Sequence, residues 1–256
     1  MEYAAYSHKG LQRKSNEDYF YIPGNGQDQL AMMIVADGMG GHKAGELASK
    51  LAVEHIAAYF DQNKSSLLHS EELVQAIQHS IEQANEQVFD LSRSEEQFSG
   101  MGTTLTLVVF DEDRLHVAHI GDSRCYLIQQ GCVRQITRDH SLVQELLDHG
   151  SITKDEVDIH PKKNVITRAL GTDDKLRIDY FEEILQEGDI VLLCTDGLIN
   201  YVNLEEQVTD LPHNISMKNL TEMLGNKALA LGGSDDITIA AARYTGTGKR
   251  GEDLAR

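Results

Sequence analysis

Short apolar segments that end at an aspartate are the feature that most restricts how this chain can fold. The segment LAMMIVA, residues 30–36, runs directly into Asp37. Three more apolar segments carry an aspartate at one end: HVAHI is followed by Gly121 and Asp122, DIVLLCT is followed by Asp196, and ITIAA is directly preceded by Asp235 and Asp236. Short segments rich in apolar and β-branched residues are typical of buried strands. The sequence therefore predicts a sheet core with carboxylates at the ends of its strands.

The periodicity of the rest of the chain predicts a mixture of strands and helices. Six strands are predicted, over residues 30–36, 104–110, 115–120, 126–129, 190–194 and 237–243. Polar turns at 111–113 and 129–131 predict hairpins, so at least part of the sheet is expected to be antiparallel. Apolar residues spaced by threes and fours predict helices over 44–56, 73–91 and 216–231, the last ending at Gly232 and Gly233.

No shift in composition divides the chain, whose 256 residues include only three prolines. Residues 1–244 are therefore expected to form one domain. Within it, residues 139–172 carry a weaker pattern, with a short helix ending at Gly150, a capping box from Thr153 to Glu156 and the basic stretch HPKKN. This part is predicted to be a small appendage. Residues 245–256 lack apolar periodicity and are expected to be a frayed tail.

The charge and the apolar pattern limit the possible partners and compartments. A formal net charge of −18 without a Lys/Arg run argues against nucleic acid as the main partner. An anionic substrate is compatible with this charge if local side-chain cations or metals hold it. The apolar segments are too short to cross a bilayer, so a soluble, cytoplasmic protein is expected. Three cysteines without close spacing indicate buried thiols and neither a disulfide framework nor a zinc site.

The strand-end aspartates are the candidate site. Each one alone is better explained as a turn or capping residue, but four at strand ends, with few arginines nearby in sequence, indicate a carboxylate cage for divalent cations. Oxygen ligands favour Mg²⁺ or Mn²⁺, whereas zinc would require Cys and His groupings that these segments lack. Gly38 has no side chain, so its backbone carbonyl is able to approach an ion closely.

A cluster of charged residues lies in the N-terminal stretch GLQRKSNEDYF, where Arg13 precedes Asn16, Glu17 and Asp18. Two explanations are open for Arg13. Either it forms an ion pair at the surface, or its planar guanidinium binds phosphate oxygens beside the metals.

Eight motifs, in the same order, resemble those of the bacterial metal-dependent serine/threonine protein phosphatases, the PPM or PP2C-type family. They are RKSNED, VADGMGGHKAGE, GMGTT, HIGDSRCYL, RDHSLV, NVITRALG, LLCTDGL and GGSDDIT, and they extend over nearly the whole chain. The resemblance implies an α+β fold, a four-layer α-β-β-α sandwich of two mostly antiparallel sheets flanked by helices. It also implies hydrolysis of phosphoserine and phosphothreonine by a metal-activated water, without a phosphoenzyme.

The resemblance also assigns roles to individual residues. In the family pattern Asp37 bridges two Mn²⁺ or Mg²⁺ ions, the Gly38 carbonyl binds one of them, and Asp196 and Asp235 complete the second. Asp122 and Asp196 would hold a third, weaker ion. Glu17 and Asp18 would act on the metals mainly through water, and Arg13 would bind the substrate phosphate. The appendage at 139–172 matches the flap beside the active site, which influences substrate choice.

Two positions depart from the family pattern. Asp236 stands where relatives commonly have asparagine, which makes Asp235 the ligand by register and adds a charge. Met39 stands where many eukaryotic members have a histidine that serves as general acid. His42 either takes over that role or packs against and caps the helix that follows, and the sequence leaves both explanations open.

Other functions fit the sequence less well. The alternative is a metal-free phosphoprotein-binding or regulatory member of the same fold, and the retention of Asp37, Gly38, Asp196 and Asp235 argues against it. A cysteine-based phosphatase is disfavoured because no arginine follows Cys194 in the phosphate-loop position. The expected partners are phosphoserine and phosphothreonine proteins, among them a cognate serine/threonine kinase and its targets. The protein is expected to be a monomer.

Overall fold

The computed structural model describes residues 1–24, 30–63, 70–157, 159–209, 211–212 and 214–246, without the side chains of His42, Ser70 and Glu71. The strands in this part are β1 Glu2–His8, β2 Asp18–Tyr21, β3 Met32–Met39, β4 Gly102–Thr103, β5 Leu105–Asp111, β6 Arg114–Ile120, β7 Arg124–Gln129, β8 Cys132–Gln135, β9 Asp179–Ile184, β10 Ile190–Cys194 and β11 Ile237–Arg243. The α-helices are α1 His42–Asn63, α2 Ser70–Ser94, α3 Leu142–Asp148, α4 Lys154–Val157, α5 Asp196–Ile199, α6 Leu204–Val208 and α7 Met217–Ala230.

The strands form two sheets, and the described strand pairs are antiparallel. Sheet I has the order β1-β11-β10-β7-β8, and sheet II has the order β2-β3-β5-β6-β9 with β4 paired to β3. The two predicted hairpins are confirmed, β5 with β6 and β7 with β8. Glu112, Gln130 and Gly131 have φ values of 53°, 51° and 82°. Backbone in this left-handed region is what tight hairpin turns require.

Three apolar layers connect the two sheets and the helices. Alternation along β3 directs Met33 and Val35 into the layer between the sheets and Met32 and Ile34 into the layer beneath α1 and α2. The third layer lies between sheet I and the helices α5 to α7, with Leu192 at its centre. The architecture is therefore α-β-β-α, and the fold implied by the resemblance is confirmed.

The three predicted helices are present as α1, α2 and α7. The first two are longer than predicted, since α1 extends from His42 to Asn63 and α2 from Ser70 to Ser94. Ser216 caps the start of α7 by accepting a hydrogen bond from the Asn219 N–H. After α7 the chain turns at Gly232, whose φ is 96°.

The strands that the periodicity does not predict include all four sheet edges. They are β1 and β8 in sheet I and β2 and β9 in sheet II. An edge strand keeps part of its surface in solvent, so its sequence carries no continuous apolar run. The strand β9, DYFEEI, alternates between half-buried and exposed residues along its whole length.

Residues 139–172, which are predicted to be an appendage and are called the flap below, contain α3 and α4. Isolated bridges join Ser141 to Ile166 within the flap and Thr103 to Leu170 at its far end. The Glu156 carboxylate accepts a hydrogen bond of 2.7 Å from the Thr153 N–H, as the capping box predicts. The extent of the single domain, 1–244, stays a prediction, and residues 247–256 of the predicted tail lie outside the described residues.

None of the helices in the described ranges combines the length and the apolar character that a bilayer-spanning helix needs.

Candidate metal centre

The predicted site residues meet at one pole of the sandwich. Asp18 on β2 lies opposite Asp37 on β3 in the strand register. Asp122 follows the end of β6, Asp196 begins α5 directly after β10, and Asp235 precedes β11. The pairing of Cys194 with Ile239 places the end of β10 beside the start of β11. Carboxylates carried by both sheets and by their connections therefore lie near one another.

The backbone of Asp37 is held on both sides by threonines of the GMGTT motif. Its N–H donates to the Thr104 Oγ1 at 2.8 Å. Its carbonyl accepts from the Thr104 N–H and from the Thr103 Oγ1, each at 2.9 Å. These hydrogen bonds fix the backbone position from which the Asp37 side chain extends, at the predicted centre of the site.

Burial and repulsion act together on Asp37. Burial raises the pKa of Asp37 well above its ordinary value, and the carboxylates of Asp18, Asp196, Asp122 and Asp235 raise it further. Asp37 thus lies beside four other carboxyl groups, of which Asp18 is buried and Asp235 is partly exposed and paired with Arg13. Such a group is costly unless cations or protons neutralise it.

The pKa values of two neighbouring carboxyl groups are also raised. Burial, then the charge of Asp235, raises the pKa of Asp196 to about 6. Burial, then Asp196 and Asp139, raises the pKa of Asp122 to about 8, although Arg124 opposes this rise. The repulsion therefore extends from Asp37 as far as Asp122.

Two buried carboxylate oxygens that accept no hydrogen bond indicate whether this set of carboxylates suits a cation. The Asp18 Oδ1 and the Asp196 Oδ1 are buried and have no hydrogen-bond partner among the described residues. Their sister oxygens accept from the Thr195 Oγ1 at 2.9 Å and from the Asn200 Nδ2 at 3.2 Å. Carboxylate oxygens left in this way suit a hard divalent cation, so the residues fit Mg²⁺ or Mn²⁺.

The carboxylates are neighbours without forming a closed cage. In the part of the chain that the structure describes, no three His, Cys, Asp or Glu side chains enclose an ion as they stand. One reason is that Asp235 forms an ion pair with Arg13 and also accepts from the Asp236 N–H at 2.8 Å. The ion pair that the sequence left open for Arg13 is present, at a guanidinium whose side chain is 40% exposed.

Gly38 is required by packing. A Cβ at this position would overlap with the Gly45 carbonyl of α1 and would lie 2.7 Å from the Glu17 carbonyl oxygen. The Gly38 N–H also donates to that Glu17 oxygen, at 3.1 Å. The sequence suggested only that the glycine leaves room for an ion, whereas the structure adds that α1 and the chain before β2 touch β3 at this point.

Comparison with known proteins identifies the family of the chain. Residues 7–231 match the model of the protein phosphatase 2C family. The serine/threonine phosphatase stp of Listeria monocytogenes is 39% identical over 231 residues, which are 90% of this chain and 91% of that protein. The chain belongs to the protein phosphatase 2C family. It is a serine/threonine protein phosphatase.

Solved structures of this family agree with the fold. The serine/threonine phosphatase PstP/Ppp of Mycobacterium tuberculosis superposes with a TM-score of 0.84 at 35% identity, covering 95% of this chain and 98% of that one. The catalytic domain of PstP, solved in complex with two manganese ions, gives a TM-score of 0.81 at 34% identity, with 95% and 97% covered. The predicted family, fold class and enzyme class are therefore confirmed.

Asp236, the departure from the family pattern, is a buried structural link. It is 3% exposed, and its Oδ2 accepts a hydrogen bond of 2.8 Å from the Glu17 N–H. Its Oδ1 is buried without a hydrogen-bond partner among the described residues. Burial raises the pKa of Asp236 to about 6, and the charges of Asp235 and Glu17 add to this rise. The extra charge of this phosphatase is thus placed beside the segment that carries Glu17 and Asp18.

The other candidate residues lie around this pole. Glu17 is buried, and its carboxylate lies against Gly45 in the first turns of α1. His42 begins α1, but its side chain lies outside the described residues. Met39, at the position of the eukaryotic histidine, has its Cε close to Gly102 of β4.

A small cavity of about 60 Å³ separates the centre from the flap. Asp122 and Asp196 line it from the side of the centre, and Lys163 and Asn164 line it from the flap. Sequence reasoning did not identify the hydroxyl groups that hold this site, those of Thr103, Thr104 and Thr195. The repeated threonine in GMGTT and the threonine directly before Asp196 were the available signals.

Proposed function

We propose that this phosphatase hydrolyses phosphoserine and phosphothreonine in proteins by direct attack of water, with two Mn²⁺ or Mg²⁺ ions held at the five-carboxylate site. The observation that carries the proposal is the convergence of these five carboxyl groups, two of which, Asp18 and Asp196, have a buried oxygen that no described donor satisfies. The two manganese ions of the PstP structure, in a relative with 34% identity, support the choice of metal.

The ligands are proposed from the strand ends. Asp37 would contribute to both ions, the Gly38 carbonyl to one, and Asp196 and Asp235 to the other. Glu17 and Asp18 act mainly through water. When bound, the ions supply a water of lowered pKa and offset the negative charge of the phosphate.

A third, weaker ion is proposed between Asp122 and Asp196. Burial raises the pKa of both carboxyl groups, and the charge of Asp196 raises the pKa of Asp122 further, so a cation between them would relieve a cost that the fold already carries.

Arg13 is proposed to bind the substrate phosphate. Its guanidinium lies at the rim of the centre, partly exposed and directed at Asp235. A guanidinium presents two parallel N–H groups to phosphate oxygens, which orients phosphorus for in-line attack. Its pairing with Asp235 keeps the side chain at the rim before substrate arrives.

His42 is proposed as the donor of the proton that the leaving serine or threonine oxygen requires. The support is its position as the first residue of α1, a few residues after Asp37 and Gly38. A metal-bound water is the competing source of this proton.

The biological setting is proposed from the family. The substrates include a cognate serine/threonine kinase and the targets of that kinase, and the protein acts as a monomer in the cytoplasm, with residues 1–244 as its one domain. Free Cys125, Cys132 and Cys194 support a reducing compartment.

Manganese-dependent hydrolysis of a phosphothreonine peptide tests the proposed chemistry. The full chain is assayed with Mn²⁺, with excess EDTA, and after Mn²⁺ is restored. We expect activity in the first and third samples and its loss in the second. Hydrolysis that survives EDTA would contradict the metal-based mechanism. Manganese binding without hydrolysis would favour the regulatory alternative.

A further inference from the structure

His140, from the RDHS segment, lies at the base of the flap beside the Asp122 part of the centre. Its side chain is 4% exposed, and its ring lies 4.9 Å from the ring of His119, centroid to centroid. Neither the proposed ligands nor the proposed phosphate-binding group includes it. Its hydrogen bonds fix the position and the orientation of the ring, which packing alone would not do.

Two hydrogen bonds join His140 to Gly121, the residue before Asp122. The Gly121 N–H donates to the His140 Nδ1 at 3.1 Å. The His140 N–H donates to the Gly121 carbonyl at 2.7 Å. Because Nδ1 accepts a hydrogen bond, it carries no proton, and the proton of the neutral ring is on Nε2.

The other ring nitrogen points at a charged pair. The His140 Nε2 lies 3.2 Å from the Asp179 Oδ2, to which its N–H donates. Arg168, from the NVITRALG motif, donates to the Asp179 Oδ1 at 2.8 Å and lies 3.2 Å from the same ring nitrogen. The carboxylate at the start of β9 thus accepts from both side chains and fixes the plane of the imidazole.

Gly121 depends on this support because it has no side chain of its own to hold it. Its φ is 106°, and a Cβ would lie 2.6 Å from the Thr104 Cγ2. Thr104 in turn accepts the hydrogen bond of the Asp37 N–H. Gly121, the residue before Asp122, is therefore held between Thr104, which fixes Asp37, and His140, whose ring binds the Gly121 N–H and whose backbone N–H binds the Gly121 carbonyl.

We infer that His140 is a positioning residue for Asp122: through the Gly121 amide it holds this carboxylate toward Asp196, and through Asp179 and Arg168 it connects the metal centre to the flap. The inference rests on the proposed function, in which Asp122 and Asp196 hold the weakest of the ions. Side chains that support metal ligands typically change metal affinity by about 10- to 100-fold when they are removed.

Two substitutions separate the roles of the two hydrogen bonds that the ring nitrogens form. In His140→Asn the amide oxygen lies where Nδ1 was, so the bond from the Gly121 N–H is kept and the bond to Asp179 is lost. In His140→Gln the amide nitrogen reaches the place of Nε2, so the bond to Asp179 is kept and the bond from Gly121 is lost. The control is His149→Gln, which changes an exposed histidine at the end of α3.

Manganese binding to the full chain, measured by titration calorimetry, is the main readout. We expect His140→Asn and His149→Gln to bind the weakest ion within about twofold of the unmodified chain. We expect His140→Gln to bind it at least about tenfold more weakly, with the tighter ions less affected. Chemical denaturation in EDTA is measured in parallel. If His140 had a purely structural role, both His140 variants would change in stability and the binding of all ions would be affected alike.

The inference is overturned if His140→Gln binds all ions as the unmodified chain does, or if both His140 variants lose affinity to the same extent. Nitrogen-15 spectra of the imidazole give a second test, since a protonated Nδ1 would contradict the assigned tautomer. If the unmodified chain binds Mn²⁺ but hydrolyses no phosphopeptide, the proposed function fails while the binding comparison still decides the role of His140.

Discussion

Asp37 combines a fixed backbone with a side chain under electrostatic stress. Thr103 and Thr104 bind its N–H and carbonyl, whereas its carboxyl group lies beside four others that raise its pKa. A residue held in this way has little freedom to move away from its neighbours. The stress is therefore relieved by protons or cations and not by rearrangement.

Replacing Asp37 by asparagine tests this arrangement. We expect Asp37→Asn to lower manganese-dependent turnover at least about 100-fold, since even residues that only support metal ligands cost about 10- to 100-fold. The fold should persist, and the denaturation midpoint in EDTA should be unchanged or higher because one repelling charge is removed. The control is Asp90→Asn on the exposed side of α2. Near wild-type turnover in Asp37→Asn would refute the proposed mechanism.

Arg13 is assigned to the phosphate and not to the attacking water, so its removal should affect binding more than turnover. We expect Arg13→Ala to raise KM about tenfold or more with a smaller change in kcat. Arg13→Lys keeps the charge but loses the planar pair of donors. Its KM should therefore lie between the KM of the unmodified chain and the KM of Arg13→Ala. An unchanged KM with a collapsed kcat would count against the assignment.

At the scale of elements, the close contact between β3 and α1 explains why position 38 is a glycine. Sequence reasoning had explained this glycine only by the approach of its carbonyl to a metal ion. The glycine at position 38 lets the Gly45 carbonyl and the Glu17 carbonyl approach the strand. This contact brings the start of α1, the segment before β2 and the end of β3 together. The predicted metal ligands on these elements depend on it.

Gly38→Ala is therefore expected to destabilise the fold whether or not metal is present. The added methyl overlaps with backbone atoms, which cannot rotate away, so we expect a loss of more than about 3 kcal/mol in the free energy of unfolding. Gly131→Ala is the comparison, because a Cβ there meets no atom within 4 Å and only the φ of 82° opposes it. That change should cost about 1–2 kcal/mol. Equal effects of the two substitutions would contradict the packing explanation.

The elements that the sequence predicts are those with one dominant environment. The central strands β10 and β11 occur at the predicted residues, because both of their faces are buried and the apolar run is continuous. The edge strands β1, β2, β8 and β9 carry mixed sequences and were found only from their pairing. The same reasoning applies to the site. Strand-end aspartates are visible as a pattern, but Thr104 and His140 act through contacts distant in sequence.

At the scale of the whole molecule, buried histidines couple stability to pH. Burial, then the neighbouring His140, lowers the pKa of His119 to about 3, whereas in the unfolded chain it is expected near its ordinary value. As the pH falls below about 6.5, the unfolded chain gains a proton that the folded chain refuses. Stability from this group is thus complete above that pH and is lost progressively down to about pH 3.

Comparison at two pH values isolates this contribution. We expect His119 to cost about 2 kcal/mol of unfolding free energy between pH 7 and pH 5. His119→Asn keeps a hydrogen-bonding atom near the Thr106 hydroxyl and does not titrate, so its loss over this interval should be smaller by about that amount. His149→Gln, at an exposed site, should behave like the unmodified chain. A pH dependence that is the same in all three proteins would refute the assignment.

The division of the site between the sheets has a consequence for how the protein matures. Asp18 and Asp37 belong to strands of sheet II, Asp122 lies in the connection from β6 of sheet II to β7 of sheet I, and Asp196 and Asp235 adjoin strands of sheet I. The pairing of β1 with β11 closes sheet I only after residues near the two ends of the described chain have met, and such distant pairings form slowly. A nascent or partly folded chain therefore carries an incomplete set of ligands. Hydrolytic activity should appear late in folding, so that incomplete copies leave cellular phosphoproteins untouched.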